Sequence, residues 1–338
     1  MGFFIPTNMK NSLIIILAAL LCHRANTQVQ SYLTVPGANE YCIINPNGNS
    51  VLPSGRYVSP AGKTIRITHD PFGMAISPDG KTAITLHNGV ITIIDLLTMS
   101  ETRVPSYDGK IKSPLSNGSF LGIAFHPTQP KVYLSGGDNG AVIVYDYLNY
   151  KTLDSISLNG TVAGKNYEDS FTSDLLFSKQ TNELLVLDRA NFRMVRIHAE
   201  TRQLTASIPT GRQPFGLALS PDGNTALVAN VGVYDYALVQ GATPANADSM
   251  MINRHPYGDN TRQAKEGVVY DGKTIPAVGD PNAPEAMSVY VIDLATNTTR
   301  YRVKTGLLVG EMVEDAEVVG GASPNSIVVG REYAYVTN

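Results

Sequence analysis

The chain has 338 residues, of which 43% are hydrophobic and 16% are charged, and its formal net charge is −3. A chain of this length can bury a substantial core as one large domain, and its near-neutral charge excludes the basic footprint of a nucleic-acid-binding protein. Tryptophan is absent and tyrosine is abundant, at 17 residues, which excludes the Trp-Asp dipeptide as the organiser of WD40-like repeats.

Residues 1–27 have the pattern of a secretory signal peptide. Lys10 precedes an apolar run over residues 12–22 that is too short to span a bilayer, and small or polar residues follow it. We expect cleavage, export to the periplasm or the extracellular space, and no transmembrane segment after removal of the signal. An uncleaved anchor is the alternative. Cleavage removes Cys22 and leaves Cys42 alone, so neither a disulfide framework nor a zinc site can form.

Residues 28–68 precede a repeat and contain two short strand-like runs, at residues 40–44 and 63–67. The repeat itself is clearest in the decapeptides PFGMAISPDG at residues 71–80 and PFGLALSPDG at residues 214–223. Weaker copies lie between them, so the period is roughly 43 to 51 residues, which is typical of four-stranded propeller blades.

Each copy continues with short β-branched and aromatic runs bounded by Gly, Pro, Asn and Asp, which predict strands and hairpins without helical periodicity. The predicted second strands are residues 82–87, 132–136, 184–188, 225–230 and 334–338, and the predicted third strands are residues 90–95, 141–146, 193–197 and 288–293. The predicted blades cover residues 69–117, 118–167, 168–211 and 212–307, with a partial blade at residues 322–338.

The blade at residues 212–307 carries an insertion over residues 231–286. A loop of this length inside a compact domain is usually functional or disordered. Because the insertion contains tyrosines and methionines that can pack, we expect an ordered excursion that covers a surface or contacts another domain, with disorder as the alternative.

The repeat carries the motif S-P-D-G, followed by Y-V-x-N and V-x-V-I-D, and the last four residues are Tyr335, Val336, Thr337 and Asn338. Over about residues 66–338 these motifs resemble those of the YVTN (YncE-like) β-propeller family. The resemblance implies an all-β propeller of four-stranded blades, of the seven-bladed type. With the signal and the insertion, the chain also resembles the N-terminal part of bacterial proteins that fuse such a propeller to an alkaline-phosphatase-like phosphoesterase domain.

The repeat reaches residue 338 within the second strand of a blade. Propellers close radially, and an open apolar edge favours association. We therefore expect a truncated propeller whose full-length form carries further blades and a C-terminal catalytic domain as a partner; a degenerate closed ring is the alternative. Residues 64–67 are the candidate strand that closes the last blade.

Loops before the first strand and after the second strand of each blade share one face of a propeller, which predicts a ligand site there. The candidates on this loop-rich face come from several blades: His69, Asp70, His87, Asp188, Arg189, Arg212 and Asn230. The insertion leaves from the end of a second strand, so we expect it to lie over the same face.

Most of these polar residues also have a structural interpretation. The S-P-D-G residues fit turn geometry, Asp95, Asp146 and Asp293 end third strands as turn caps, and Asn230 bonds loop backbone. His87 and Asp188 break the repeat at one position, although the simpler interpretation is that both side chains are solvated.

Motifs of metalloproteases, serine hydrolases, P-loop proteins and calcium loops are missing from the sequence. We therefore predict a binding or scaffold module for a protein or small-molecule ligand, the non-catalytic part of a larger phosphoesterase-type protein, with no cofactor. The alternative is a propeller hydrolase of the lactonase kind, with a divalent metal held by residues such as His69, Asp70, Asp188 and Asn230.

Overall fold

The computed structural model describes residues 34–45, 47–116, 118–236, 239, 241, 246–250, 261–306 and 323–338. The chain divides into two compact units, Met1–Arg66 and Ile67–Asn338. The expected signal peptide at residues 1–27 and much of the insertion lie outside the described residues. Within the described residues, no helix has the length and apolar character needed to cross a membrane.

The described part of the first unit contains one small sheet, in which Ser50–Val51 pairs with Tyr57–Val58. Ile43 forms a single bridge to Val51. The expected strand at residues 63–67 is wrong, because these residues form no strand. A run of β-formers becomes a strand only where a neighbouring strand accepts its backbone hydrogen bonds, and none of the described strands pairs with this run.

The second unit is built from four antiparallel sheets of four strands each, which confirms the all-β expectation. In every sheet the strands are ordered along the chain from first to fourth. Sheet I comprises Gly73–Ile76, Thr82–His87, Val90–Asp95 and Ser100–Val104, and sheet II comprises Ile123–Phe125, Lys131–Ser135, Ala141–Asp146 and Lys151–Ser157. Sheet III comprises Thr172–Ser178, Glu183–Asp188, Arg193–His198 and Leu204–Pro209, and sheet IV comprises Pro214–Leu219, Thr225–Asn230, Ser288–Asp293 and Thr298–Lys304.

Smaller elements complete the described residues of this unit. Ser326–Val329 pairs with Ala334–Thr337 to form sheet V, and two further hairpins pair Gly160–Val162 with Lys165–Tyr167 and Val268–Tyr270 with Lys273–Ile275. Two short helices, Ala247–Met250 and Arg262–Glu266, belong to the insertion.

Side-chain hydrogen bonds fix the turns that the sequence predicted. In the first S-P-D-G turn the Ser77 hydroxyl donates to Asp79 at 2.6 Å and accepts from the Thr82 backbone N–H at 2.9 Å, while Gly80 has a φ of 71°. The expected caps also form, since the backbone N–H groups of Leu97 and Thr98 both donate to Asp95. Asp146 and Asp293 make the same pair of bonds.

Hydrophobic cores lie between successive sheets. Ile84 and Leu86 of sheet I pack with Val132 and Leu134 of sheet II, while Tyr133, on the opposite face of sheet II, packs with sheet III. The same arrangement continues from sheet III to sheet IV and from sheet IV to sheet V. The sheets therefore stack face to face, and the second and third strands of sheets II and III use the alternation of their side chains to contribute to two cores.

The first strands of neighbouring sheets come closest to one another. A Cβ added at Gly73 would lie 1.9 Å from the Leu121 carbonyl oxygen, and one added at Gly216 would lie 2.5 Å from the Asn325 carbonyl oxygen. The glycine at the third position of each decapeptide is therefore required because the backbone of the next sheet leaves no room for a Cβ.

Candidate functional site

The chain enters each four-stranded sheet through the same three-residue lead-in turn. Its first residue has a left-handed φ, its second is Pro or Ser, and its third is Phe. The left-handed residues are Asp70 at 52°, Gly118 at 89°, Asp169 at 51° and Gln213 at 48°. This backbone conformation is costly for residues other than glycine, so its recurrence indicates that each turn is held by its surroundings.

The lead-in turns bring four phenylalanines together. The Phe120 ring is the centre of the group, with centroid distances of 5.8 Å to Phe72, 5.7 Å to Phe171 and 5.3 Å to Phe215. Two of these contacts are edge-to-face, the favoured geometry for aromatic pairs. The cluster joins the lead-in turns of all four sheets, and one of its members, Phe171, lines a pocket.

That pocket lies at the end of sheets III and IV and has a volume of about 440 Å³. The described residues that line it are Phe171, Arg189, Ala190, Phe192, Gln213, Asp235 and Tyr236. We call this the Arg189 pocket. It combines aromatic walls with a few polar groups, which is the usual composition of a small-molecule site.

Arg189 is the cation of this pocket. Its guanidinium lies 5.9 Å from the centroid of the Phe171 ring and 6.0 Å from that of the Phe215 ring, and it donates to the Gln213 side chain at 2.8 Å. Burial lowers the pKa of the Arg189 guanidinium from its usual value, although an arginine stays charged at neutral pH. Among the described residues, no carboxylate forms an ion pair with it.

The insertion supplies the outer wall of the Arg189 pocket. Tyr236 is 64% exposed and its ring packs edge-to-face against Tyr234 at 6.0 Å. Asp235 is exposed and its backbone N–H donates to the Val278 carbonyl at 2.7 Å. The described start of the insertion therefore lies over the end of the sheets that presents Arg189, the face on which the sequence analysis expected it.

Arg212 anchors this insertion. Its guanidinium donates to the carbonyl oxygens of Val233 and Asp280 at 2.7 and 2.8 Å, and it approaches Glu285 at 3.3 Å. Lys304 holds the returning segment through three further carbonyl oxygens. Arg212 is 7% exposed, so its donors serve the fold.

Asp188 is fully buried, which corrects the expectation of a solvated side chain. Its carboxylate accepts from Ser170 at 2.8 Å, from Arg193 at 2.8 Å and from the Phe171 backbone N–H at 3.1 Å. Arg193 is 1% exposed and lies 3.5 Å from the centroid of the Tyr167 ring. Both charges are thus compensated, as buried charges require.

His87 is also buried, at 1% exposure, which corrects the same expectation. Its Nδ1 donates to the His69 carbonyl at 2.7 Å, and its Nε2 lies 2.9 Å from the Thr85 hydroxyl and 3.0 Å from the Thr92 hydroxyl. The lead-in turn of the next sheet covers this strand end, because the Ser119 hydroxyl donates to the His87 carbonyl at 2.8 Å.

The remaining predicted residues are not part of the pocket. Asn230 is buried and its amide donates to the carbonyls of Val228 and Ser288, as expected for a residue that bonds backbone. His69 and Asp70 are exposed and pair with each other at 2.9 Å. In the described part of the chain, no group of three or more His, Cys, Asp or Glu side chains is arranged to hold a metal ion.

Asp174 is a polar residue of the inner strands that sequence reasoning missed. It is half-buried, and its carboxylate accepts from the backbone N–H groups of Leu175 and Leu217, each at 2.9 Å, so it bridges sheets III and IV. Removal from water raises the pKa of the Asp174 carboxyl to about 6, against the opposite effect of the two hydrogen bonds. No repeat pattern marks this position.

No protein-family model and no curated protein matches the chain. Its weak resemblance to solved structures is illustrated by two of them. Hydrazine synthase of Kuenenia stuttgartiensis has a TM-score of 0.44 and 16% identity over 78% of this chain, and a functionally unknown protein of Desulfotomaculum acetoxidans has a TM-score of 0.46 and 15% identity over 80%. The matched regions span 54% and 64% of those two chains. Similarity at this level carries no argument about function.

Proposed function

We propose that the second unit is a YVTN-type β-propeller, of the seven-bladed type, that acts as an exported binding module. The four sheets stack face to face, and their first strands approach one another through glycines, which supports a radial arrangement of blades. The role as the non-catalytic part of a larger phosphoesterase-type protein rests on the sequence resemblance alone.

One observation carries the binding function. Arg189 is a half-buried cation whose guanidinium lies 5.9 and 6.0 Å from the centroids of two aromatic rings; it faces a pocket of about 440 Å³ and has no acidic partner among the described residues. A charge withdrawn from water usually has a partner of opposite sign. A ligand in the Arg189 pocket would supply that partner.

The geometry supports binding over the alternative of a metal-dependent hydrolase. A hydrolase of that kind needs carboxylates and imidazoles that are free to hold a metal. The carboxylate of Asp188 is engaged by Ser170, Arg193 and backbone N–H groups, and both ring nitrogens of His87 have protein partners.

A ligand screen tests the proposed function. We would measure the melting temperature of the chain with an aromatic carboxylate, an aromatic alcohol, an aromatic amine, an aryl phosphate and a monosaccharide. A ligand that binds only the folded protein raises the melting temperature, so at least one compound should do so. The shift should shrink in the Tyr236→Ala variant, which removes an exposed wall of the pocket.

Tyr107→Ala is the matched control, because Tyr107 is exposed and has the Arg103 guanidinium 5.0 Å from its ring centroid, away from the pocket. The control should keep the wild-type shift. A screen in which no compound raises the melting temperature, or in which Tyr236→Ala keeps the full shift, would contradict the proposed function.

A further inference from the structure

We infer that the Arg189 pocket binds a small monocarboxylate that carries an aromatic body. This inference rests on the proposed function, because it names the ligand class of the same pocket. It follows from the number of charges in the pocket, from the geometry of the guanidinium and from the composition of the walls.

The charges of the lining favour a ligand with one negative charge. Arg189 is the single cationic side chain among the described lining residues, and Asp235 adds an exposed carboxylate to the same lining. A phosphate monoester, which carries nearly two negative charges at neutral pH, would therefore meet only one cation, and Asp235 would repel it more strongly than a singly charged anion. A carboxylate needs only the one cation.

The shape of the cation favours a carboxylate among the singly charged groups. A guanidinium presents five N–H donors in one plane, and paired N–H groups match the two oxygens of a carboxylate. Gln213 accepts one of the Arg189 donors, at 2.8 Å. The other donors have no hydrogen-bond acceptor in the described part of the chain, and the Gln213 amide nitrogen is likewise without an acceptor there.

The guanidinium is also held in place before any ligand binds. It lies over the Phe171 and Phe215 rings, and Gln213 is fixed by a lead-in turn with a φ of 48°. A group that is already ordered loses less conformational freedom when it binds a ligand. A flexible surface arginine would lack this advantage.

The walls indicate the rest of the ligand. Phe171, Phe192 and Tyr236 line the pocket, and aromatic rings prefer the edges or offset faces of other rings. A volume of about 440 Å³ lies within the range for sites that bind small organic molecules. A phenyl ring on a short chain that ends in a carboxylate matches the single cation, the aromatic walls and the volume of the pocket.

The test compares 3-phenylpropionate with 3-phenylpropanol, which differs in lacking the charge, by isothermal titration calorimetry. Because hydrogen bonds between charged groups are stronger than neutral ones, we expect the carboxylate to bind at least about tenfold more tightly than the alcohol. Phenyl phosphate should bind more weakly than 3-phenylpropionate. The peptide Gly-Gly-Phe presents the same terminal group, and tighter binding of this peptide than of the free acid would identify a peptide C-terminus as the source.

Two variants and one control locate the site. Arg189→Met keeps an apolar stem over the rings and should reduce affinity for 3-phenylpropionate at least about tenfold, to the level of the alcohol. Arg103→Met is the matched control, since Arg103 is also half-buried above an aromatic ring, and it should leave affinity unchanged. Tyr236→Ala should lower the affinities for the acid and for the alcohol by the same factor. It therefore tests the aromatic wall of the pocket even if Arg189→Met fails to fold.

Equal affinities for the acid and the alcohol, or an unchanged affinity in Arg189→Met, would overturn the inference. A different compound that binds and depends on Tyr236 would then leave the proposed function standing while the carboxylate assignment fails. Binding of 3-phenylpropionate that is insensitive to both Arg189→Met and Tyr236→Ala would overturn the assignment of the pocket.

Discussion

The stability of the second unit should depend on pH through Asp174, which bridges sheets III and IV. The pKa of its carboxyl is raised to about 6, from 3.8 for the group in water, because the inner strands withdraw it from solvent. The folded protein therefore binds the Asp174 proton more tightly than the unfolded chain does. The stability associated with that proton is complete below about pH 3.8 and is lost as the pH rises through about 6.

The magnitude follows from the difference between the two pKa values. A shift of about 2.2 units corresponds to about 3 kcal/mol across the whole window. Between pH 7 and pH 4.5, wild type should gain about 2 kcal/mol relative to a variant that cannot titrate at this position. Asp174→Asn is that variant, because its amide oxygen can still accept one of the two backbone N–H groups.

Urea unfolding followed by circular dichroism, at pH 7 and pH 4.5, measures this difference. At each pH, the free energy of unfolding of Asp174→Asn is subtracted from that of wild type. This difference removes the contribution of all other titrating groups, provided that they act independently of Asp174. We expect the wild-type free energy of unfolding to rise relative to Asp174→Asn as the pH falls. A difference that stays constant, or that changes with the opposite sign, would refute the argument from desolvation.

Three further predictions concern contacts that hold the sheets and the insertion. Asp188→Ala leaves the Arg193 guanidinium buried without its carboxylate, so urea unfolding should show a loss of about 3 to 5 kcal/mol; a wild-type midpoint would contradict this. Gly216→Ala places a Cβ 2.5 Å from the Asn325 carbonyl oxygen, next to sheet V, so amide hydrogen exchange in sheet V should accelerate. Gly62→Ala is the control, because a Cβ added there has no atom within 4 Å, and it should leave the exchange rates of sheet V unchanged. Arg212→Met removes hydrogen bonds to two insertion carbonyls, so limited proteolysis within the insertion should become several-fold faster while the β-type circular dichroism persists. Equal cleavage rates would show that Arg212 does not anchor the insertion.

The sequence predicted the inner part of each sheet well and the outer part poorly. The predicted strands at residues 82–87 and 225–230 coincide with observed second strands, because buried apolar runs between turn residues are a strong signal. Fourth strands such as Lys151–Ser157 and Thr298–Lys304 are mostly exposed and polar, so they resemble loops in sequence. A third S-x-D-G turn, at Ser106 and Asp108, was missed because its proline is replaced.

Of the residues predicted for a ligand site, one lines the Arg189 pocket. Arg189 was identified because its position follows a second strand, and it lies in the pocket. His87 and Asp188 stand out because they break the repeat, but their burial depends on contacts that local sequence does not reveal. Ser119 of the next lead-in turn covers the strand end at His87, whereas Ser170, Phe171 and Arg193 enclose Asp188. The Phe120 cluster and the bridge at Asp174 join residues more than 40 positions apart, although phenylalanine recurring at one repeat position was a usable signal for the first of them.

The stacking of the sheets has a consequence for how the molecule unfolds and evolves. Sheet II gives one face to a core with sheet I and the other to a core with sheet III, so its stability is a sum of nearest-neighbour terms, as in linear repeat proteins. Damage to sheet II therefore weakens both of its interfaces at once, and sheets that do not contact it are affected less. Because each sheet contacts only its neighbours, duplication of a whole sheet should disturb the fold little, since a new copy needs to match only the two faces between which it is placed.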